Sequence, residues 1–256
     1  MVSFFLSTDV LPNGLSPGIA ALLLLVSFLT SALTAAFGIG GGVAMLGALA
    51  GSVPPTMVVA VHGVVQLGSN LGRVIIQRAH ILWRPTLIFS VGSLVGATMG
   101  AVVFVALPER LLLALLGAFI LLLTWLPKPK IPGLESAGMF LGGAIATFIT
   151  IFVGATGSFV QALFLSMKLE KRVLVATHAL CMSIQHGLKV LAFGYLGFAF
   201  QDWLPLMLAM IATGFLGTWL GTRLLDRLSQ QTFERILKLV LTLVGLDLLR
   251  RASGLL

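Results

Sequence analysis

Acidic residues and cysteine, which many enzymes and metal sites need, are scarce in this sequence. Only 8 of its 256 residues are Asp or Glu, and Cys181 is the single cysteine. One cysteine cannot form an intrachain disulfide. No paired carboxylates, metal-ligand cluster or nucleophile with a base stand in plausible register, which argues against a membrane-embedded enzyme. We therefore expect a protein that is not an enzyme and that carries no catalytic residues, no metal and no cofactor.

Charge of either sign is also scarce. Charged residues make up 9% of the chain and hydrophobic residues 58%, whereas a soluble domain carries about 25% charged residues. The mean hydropathy is +1.10. This composition predicts a polytopic protein whose surroundings are the lipid bilayer. The net charge of +8 would indicate nucleic acid as a partner of a soluble protein, but here the basic residues flank apolar runs and report on topology instead.

Two of the apolar runs are interrupted by glycine. The first contains TAAFGIGGGVAML, Thr34 to Leu46, and the fifth contains TIFVGATGSFVQA, Thr150 to Ala162. Both runs are too long for one upright span of about 20 residues. Glycine costs about 1 kcal/mol relative to alanine inside a helix, so both helices are predicted to break. The runs lie near residues 18–51, 55–77, 85–106, 110–126, 134–167, 172–196, 203–222 and 231–249.

The second half of the chain repeats the first. Under one constant offset, three pairs of uncommon residues coincide: Gly38 with Gly154, His62 with His178, and Arg73 with Lys189. Matching histidines and matching cations are more informative than matching apolar residues, because an apolar alphabet matches itself by chance. We predict an internal duplication, with a first repeat at 1–126, a linker loop at 127–133 and a second repeat at 134–256.

The basic residues predict how the repeats are oriented. If runs one and five each cross the membrane once, the cations between runs divide evenly over the two sides. If both runs turn back at their glycines, nine cations share one side, as the positive-inside rule favours. These nine are Arg78, Arg84, Lys128, Lys130, Lys168, Lys171, Arg172, Arg223 and Arg227. We predict an all-α membrane protein with about eight membrane segments in two inverted repeats, whose first helices are broken or re-entrant.

A stripe of polar residues follows each break. In the first repeat it runs from His62 to Arg73 and in the second from His178 to Lys189, at helical spacing on otherwise apolar spans. Ionisable groups at membrane depth face a cavity or a partner. Each stripe offers a cation and no carboxylate, and a broken helix exposes backbone N–H groups that attract anions. The two breaks and two stripes together predict a site for a small anion.

The candidate site contains fifteen residues. At the breaks and on the helices that follow them, these are Gly38, Gly40, Gly41, Gly42, His62, Gln66, Asn70, Arg73, Gly154, Thr156, Gly157, Ser158, His178, His186 and Lys189. Plainer interpretations stay open for them. The glycines can serve close helix packing alone, Arg73 and Lys189 can extend to the interface, and His62 and His178 can be hydrogen-bonded core residues.

The glycine cluster FGIGGG, the following helix with its Ala-x-His and polar face, and the weaker second copy resemble the sulfite exporter TauE/SafE family over essentially the whole chain. The resemblance implies a multi-pass permease of the bacterial inner membrane that carries a sulfur-containing anion. It also implies that both breaks, with Asn70, Arg73, His186 and Lys189, form the substrate site.

From the resemblance and the residues together we expect a secondary transporter that works by alternating access. Its substrate would be sulfite or a sulfonate, and the scarcity of further cations near the breaks favours a monoanion with an apolar tail, such as an aromatic sulfonate. An anion channel is the alternative. The transport direction, the coupling ion and the oligomeric state stay open.

Overall fold

The computed structural model describes residues 11–12, 15–37, 40–104, 108–126, 136–165, 167, 169–224 and 230–254, and within them it contains helices and turns but no strand. The prediction of an all-α fold is confirmed. The first half contains α1 (Pro17–Phe37), α2 (Gly41–Ser52), α3 (Pro55–Gln77), α4 (Trp83–Val103) and α5 (Glu109–Trp125). The second half contains α6 (Ser136–Val153), α7 (Gly157–Leu165), α8 (Lys171–Tyr195), α9 (Leu204–Leu224) and α10 (Gln230–Ser253). Short 3₁₀ turns at Arg78–His80 and Phe200–Trp203 precede α4 and α9.

Both predicted breaks are present. The first separates α1 from α2, and Gly40 has a φ of 98° there. The second separates α6 from α7, and Gly154 has a φ of 90°. Residues with a Cβ rarely adopt a positive φ, which explains why glycine stands at these two positions. Gly38 and the linker at 127–133 lie outside the described residues.

Helix directions follow from the residues that touch. Helix α9 runs parallel to both α1 and α3, because later residues of α9 lie against later residues of each partner. The contacts are Gly217 with Phe28, Gly221 with Ala32, Ile211 with Gly68 and Phe215 with Gly72. Helices α1 and α3 therefore point the same way, and α2 between them must turn back. The first run therefore forms a hairpin of α1 and α2, and the full-length helix α3 follows it.

The second half is built the same way. Helix α4 runs parallel to both α6 and α8, so α6 and α8 point the same way and α7 turns back between them. The contacts are Gly92 with Phe140, Gly96 with Ala144, Leu82 with Thr177 and Thr86 with Cys181. Glycine allows α4 and α6 to approach closely, as small residues do between membrane helices.

The two halves are inverted relative to each other. Gly63 of α3 lies against Val190 of α8, and Leu67 lies against Gly187, so these two equivalent helices are antiparallel. The arrangement places the turn with Arg78 and Arg84, the start of α8 and the end of α9 at one end of the helix bundle. This is the end that the positive-inside rule assigns to the cytoplasm. Of the nine cations, Lys128, Lys130, Lys168 and Arg227 lie outside the described residues.

Five stretches of the described chain are long and apolar enough to cross a membrane. They are Pro17–Ala35, Pro55–His80, Trp83–Val103, Ser136–Val153 and Phe200–Gly221, and shorter apolar helices cover Gly41–Ser52 and Leu113–Leu122. A polytopic membrane protein is what this pattern indicates. The predicted number of about eight segments stays a prediction.

The hairpin topology makes a labelling prediction. Ser52 ends α2 and Ala79 lies in the 3₁₀ turn after α3, so they stand at opposite ends of α3. In intact cells, Ser52→Cys should react with a membrane-impermeant thiol reagent from outside, and Ala79→Cys only after lysis. The native Cys181 is buried and supplies a low background. Labelling of Ser52→Cys from the cytoplasmic side, only after lysis, would contradict the hairpin.

Candidate functional site

The two hairpins bring two helix N-termini into the protein interior. Helix α2 begins at Gly41 and α7 at Gly157. The first N–H groups of a helix have no intrahelical partner and carry the positive end of its dipole. The α2 terminus is packed so closely on α1 that a Cβ on Gly41 would collide with the backbone of Thr30 and the hydroxyl of Thr34. Both termini face a cavity at the centre of the bundle.

A histidine on the following long helix holds each terminus in place. His62 of α3 bonds through Nε2 to the Gly42 carbonyl at 2.9 Å. His178 of α8 bonds through Nε2 to the Gly157 carbonyl at 3.0 Å. A carbonyl oxygen only accepts, so Nε2 carries the proton in both rings. The equivalent histidines of the two repeats therefore have the same local role.

Arg73 is buried without a counter-ion. Its side chain is 2% exposed and lines the cavity, so it does not extend to the membrane interface. Nη2 donates to Asn70 Oδ1 at 2.7 Å, whereas Nε and Nη1 have no hydrogen-bond partner in the part of the chain that the structure describes. Among the described residues no carboxylate pairs with it. A buried charge is costly unless it is paired, so the guanidinium presents two donors for which the described residues provide no acceptor.

Lys189, the counterpart of Arg73, has a different environment. It is 0% exposed, and its Nζ donates to the Gly154 carbonyl at 3.0 Å. The same Nζ lies 3.5 Å from His62 Nδ1. Lys189 thus joins the break of the second repeat to the histidine of the first repeat, and it does not line the cavity. The ammonium sits at the C-terminal end of α6, where the helix dipole favours a cation.

The cavity has a volume of about 40 Å³, where a single water needs about 10–15 Å³. Its polar wall contains predicted residues, and the rest of its lining was not predicted. The lining residues are Thr34, Gly40, Gly42, Val43, His62, Gln66, Asn70, Arg73, Ala155, Gly157, Ser158, His178, Met182 and His186. A few water-sized groups fit, between positive helix ends and one guanidinium.

Ten of the fifteen predicted residues line this cavity, and four others stand behind it. Gly41 and Gly154 stand at the helix breaks, and Lys189 bonds the Gly154 carbonyl as described. Thr156 donates to the Ala146 carbonyl and accepts from Gln185 Nε2 at 2.7 Å. The fifteenth, Gly38, lies outside the described residues. The fourteen described residues therefore lie close together in the structure. Their role as a binding site for an anion is a prediction.

Four lining residues were not among the predicted ones. Thr34 lies opposite Gly41, and Val43, Ala155 and Met182 form an apolar wall. Met182 occupies the position in α8 that Gln66 occupies in α3, so the repeat offset could have identified it. Val43 and Ala155 carry no signal of their own, because an apolar residue next to a glycine break is common in membrane helices.

Metal binding finds no support in the part of the chain that the structure describes. It contains no group of three His, Cys, Asp or Glu side chains that could hold an ion. Asp247, a carboxylate outside the cavity, pairs with Arg250 at 2.8 Å and with Arg251 at 2.7 Å near the end of α10. Among the described residues that line the cavity, Arg73 is a cation and none is a carboxylate.

Comparison with known proteins supplies a family. The sulfite exporter TauE/SafE family matches residues 23–248, which includes both breaks and both polar stripes. The comparison with curated proteins found no match.

Proposed function

Because the chain belongs to the sulfite exporter TauE/SafE family, whose members are membrane transporters, we propose that it moves a small sulfur oxyanion across the bacterial inner membrane by alternating access. The observation that carries this proposal is Arg73, a buried guanidinium that lines a cavity and has two nitrogens without a partner among the described residues. Each of these nitrogens shares an edge of the guanidinium with Nη2, and Asn70 accepts from one of the two N–H groups of Nη2. An oxyanion with two oxygens can therefore accept from the second N–H of Nη2 together with Nη1 or Nε. A guanidinium is the side chain best suited to such bidentate contacts.

The rest of the cavity supports the same ligand. The N-termini of α2 and α7 offer backbone donors and the positive ends of two dipoles. Ser158, Asn70 and Gln66 add polar groups. One fixed cation assisted by dipoles neutralises a monoanion without holding it as strongly as several charged side chains would, and a transporter must release its substrate.

The size of the cavity favours a compact substrate. About 40 Å³ accommodates an anion of sulfite size or a short sulfonate. An aromatic sulfonate, which the sequence favoured, would require the apolar wall of Val43, Ala155 and Met182 to move outward. We therefore place sulfite and small sulfonates first, and aromatic sulfonates second.

The mechanism proposed rests on the inverted halves. Many secondary transporters contain inverted repeats with broken helices whose ends meet near the bilayer midplane. Rocking of one hairpin and its supporting helices against the other would expose the cavity to each side in turn. In a channel, both sides would be open together, and transport would not depend on anion on the opposite side.

The proposal is tested with the purified protein in liposomes. Vesicles loaded with unlabelled sulfite should accumulate labelled sulfite by counterflow, and excess methanesulfonate should compete. Thermal unfolding in detergent should shift upward with the same anions, because a ligand that binds only the folded state raises stability. Flux without counterflow would indicate a channel, and no stabilisation by any sulfur oxyanion would overturn the proposal.

A further inference from the structure

The two equivalent histidines, His62 and His178, differ in the surroundings of one ring nitrogen, Nδ1. In both, Nε2 donates to a carbonyl of a hairpin helix, so the neutral ring has a bare Nδ1 that accepts a hydrogen bond. For His62 that acceptor lies 3.5 Å from Lys189 Nζ, which has protons to donate. For His178, Nδ1 has no hydrogen-bond partner among the described residues. The asymmetry gives the second repeat an open proton acceptor that the first repeat lacks.

His178 is buried, 5% exposed, and lines the same cavity as Arg73. The charged and titratable groups around it come from α3 and from α8 itself. Arg73 on α3 and His186 on α8 interact with it electrostatically. His62 on α3 lines the same cavity, and Lys189 on α8 lies behind it. Helices α6 and α7 contribute no titratable group among their described side chains. Arg78 and Arg84, beside the start of α4, are exposed, and His80 is partly buried in the same turn.

We propose that the anion crosses together with one proton, and that Nδ1 of His178 holds this proton while the anion is bound. The inference rests on the proposed function and adds the coupling ion to it. Imidazole is the side chain that titrates most readily near neutral pH. Two cavity histidines, His178 and His186, have a buried Nδ1 with no hydrogen-bond partner among the described residues. Of these, His178 is the one whose Nε2 is fixed by a hydrogen bond to a hairpin helix.

The charges explain why the two species would travel as a pair. A protonated His178 beside Arg73 would put two positive charges in a buried cavity, which is unfavourable when no anion is present. A bound anion compensates the second positive charge, so the proton binds when the anion does. On entry, Nδ1 accepts H⁺ either from hydronium, which leaves water, or from the O–H of hydrogen sulfite, which leaves sulfite, and an N–H bond forms. On release, that N–H bond breaks, and the proton leaves on the side where the anion leaves.

Two sources of the proton are separated by the choice of anion. Hydrogen sulfite can bring its own proton, whereas methanesulfonate carries none near neutral pH. Liposomes containing the protein and an internal pH indicator are exposed to an inward methanesulfonate gradient. The expected result for the unaltered protein is internal acidification that follows anion uptake. Acidification with sulfite but not with methanesulfonate would show that the substrate alone carries the proton and would overturn the role of His178.

His178→Gln is the test variant and His62→Gln its matched control. A glutamine amide can replace Nε2 as the donor to the carbonyl, but it cannot bind a proton at the position of Nδ1. We expect His178→Gln to retain methanesulfonate counterflow at a lower rate and to lose the acidification. His62→Gln is expected to retain the ratio of protons to anions, because its Nδ1 partner is Lys189 and not the cavity.

Each outcome decides a different point. Counterflow without acidification in the unaltered protein leaves the proposed transport function standing and overturns the proton coupling. An unchanged ratio of protons to anions in His178→Gln overturns the assignment to His178. If neither variant nor the unaltered protein shows counterflow, the transport function itself fails.

Discussion

Replacing Arg73 with alanine is expected to abolish the thermal stabilisation of this protein by sulfite and by methanesulfonate. Removing one partner of a buried, hydrogen-bonded charge pair costs about 2–5 kcal/mol of binding free energy. At about 1.4 kcal/mol for each factor of ten, Kd should rise by a factor between roughly 30 and several thousand. The measurement is the unfolding temperature in detergent, titrated with each anion.

In the absence of anion, Arg73→Ala should not destabilise the protein. Because Arg73 Nε and Nη1 have no partner among the residues that the structure describes, the substitution removes a buried charge that those residues leave unpaired. The free energy of unfolding without ligand should therefore stay the same or increase. This combination of intact stability and lost stabilisation by anions distinguishes a binding residue from a structural one. A large drop in the anion-free unfolding temperature would instead assign Arg73 a structural role.

Arg84→Ala is the matched control for Arg73→Ala. Arg84 is an exposed residue near the start of α4, so its removal should leave the stabilisation by anions unchanged. Arg73→Lys keeps the positive charge but lacks the planar fork of donors. Its Kd for the anion is expected to lie between those of the unaltered protein and Arg73→Ala. If Arg73→Ala still binds sulfite as tightly as Arg84→Ala does, the anion lies elsewhere and the proposed site is wrong.

Gly41→Ala is expected to disrupt the first hairpin. The added Cβ would collide with the Thr30 backbone and with Thr34 Oγ1. A backbone cannot rotate out of the way as a side chain can, so α2 must move from α1. Overpacking of this kind costs about 1–3 kcal/mol, occasionally more. The unfolding temperature should fall, and anion binding should weaken as well, since Gly42 and Val43 line the cavity.

Gly51→Ala, on the same helix, is the control for that variant. A Cβ at Gly51 meets nothing within 4 Å. Alanine is favoured over glycine in a helix by up to about 1 kcal/mol, so the unfolding temperature should be equal or slightly higher. If Gly41→Ala and Gly51→Ala behave alike, close packing is not the reason for glycine at the start of α2.

The sequence by itself determined the fold class, the two helix breaks and the inverted order of the halves. Each depends on a strong local signal or on composition. Long apolar runs require membrane helices because the bilayer offers no hydrogen-bond partner to the backbone. Glycine within those runs has a cost that predicts a break, as Gly40 and Gly154 demonstrate with their positive φ. Basic residues that flank membrane spans are enriched on the cytoplasmic side. Their positions therefore indicate topology without any knowledge of packing.

Only the tertiary structure decided what each polar residue faces. Helical spacing shows that Arg73 and Lys189 belong to polar stripes, but it does not show that Arg73 lines the cavity while Lys189 bonds the Gly154 carbonyl. The contact between Lys189 and His62 spans 127 positions of sequence, and that contact distinguishes the two equivalent histidines. Periodicity defines the face of one helix, whereas the partner of that face depends on how the helices pack. That packing is set by long-range contacts that no short stretch of sequence contains.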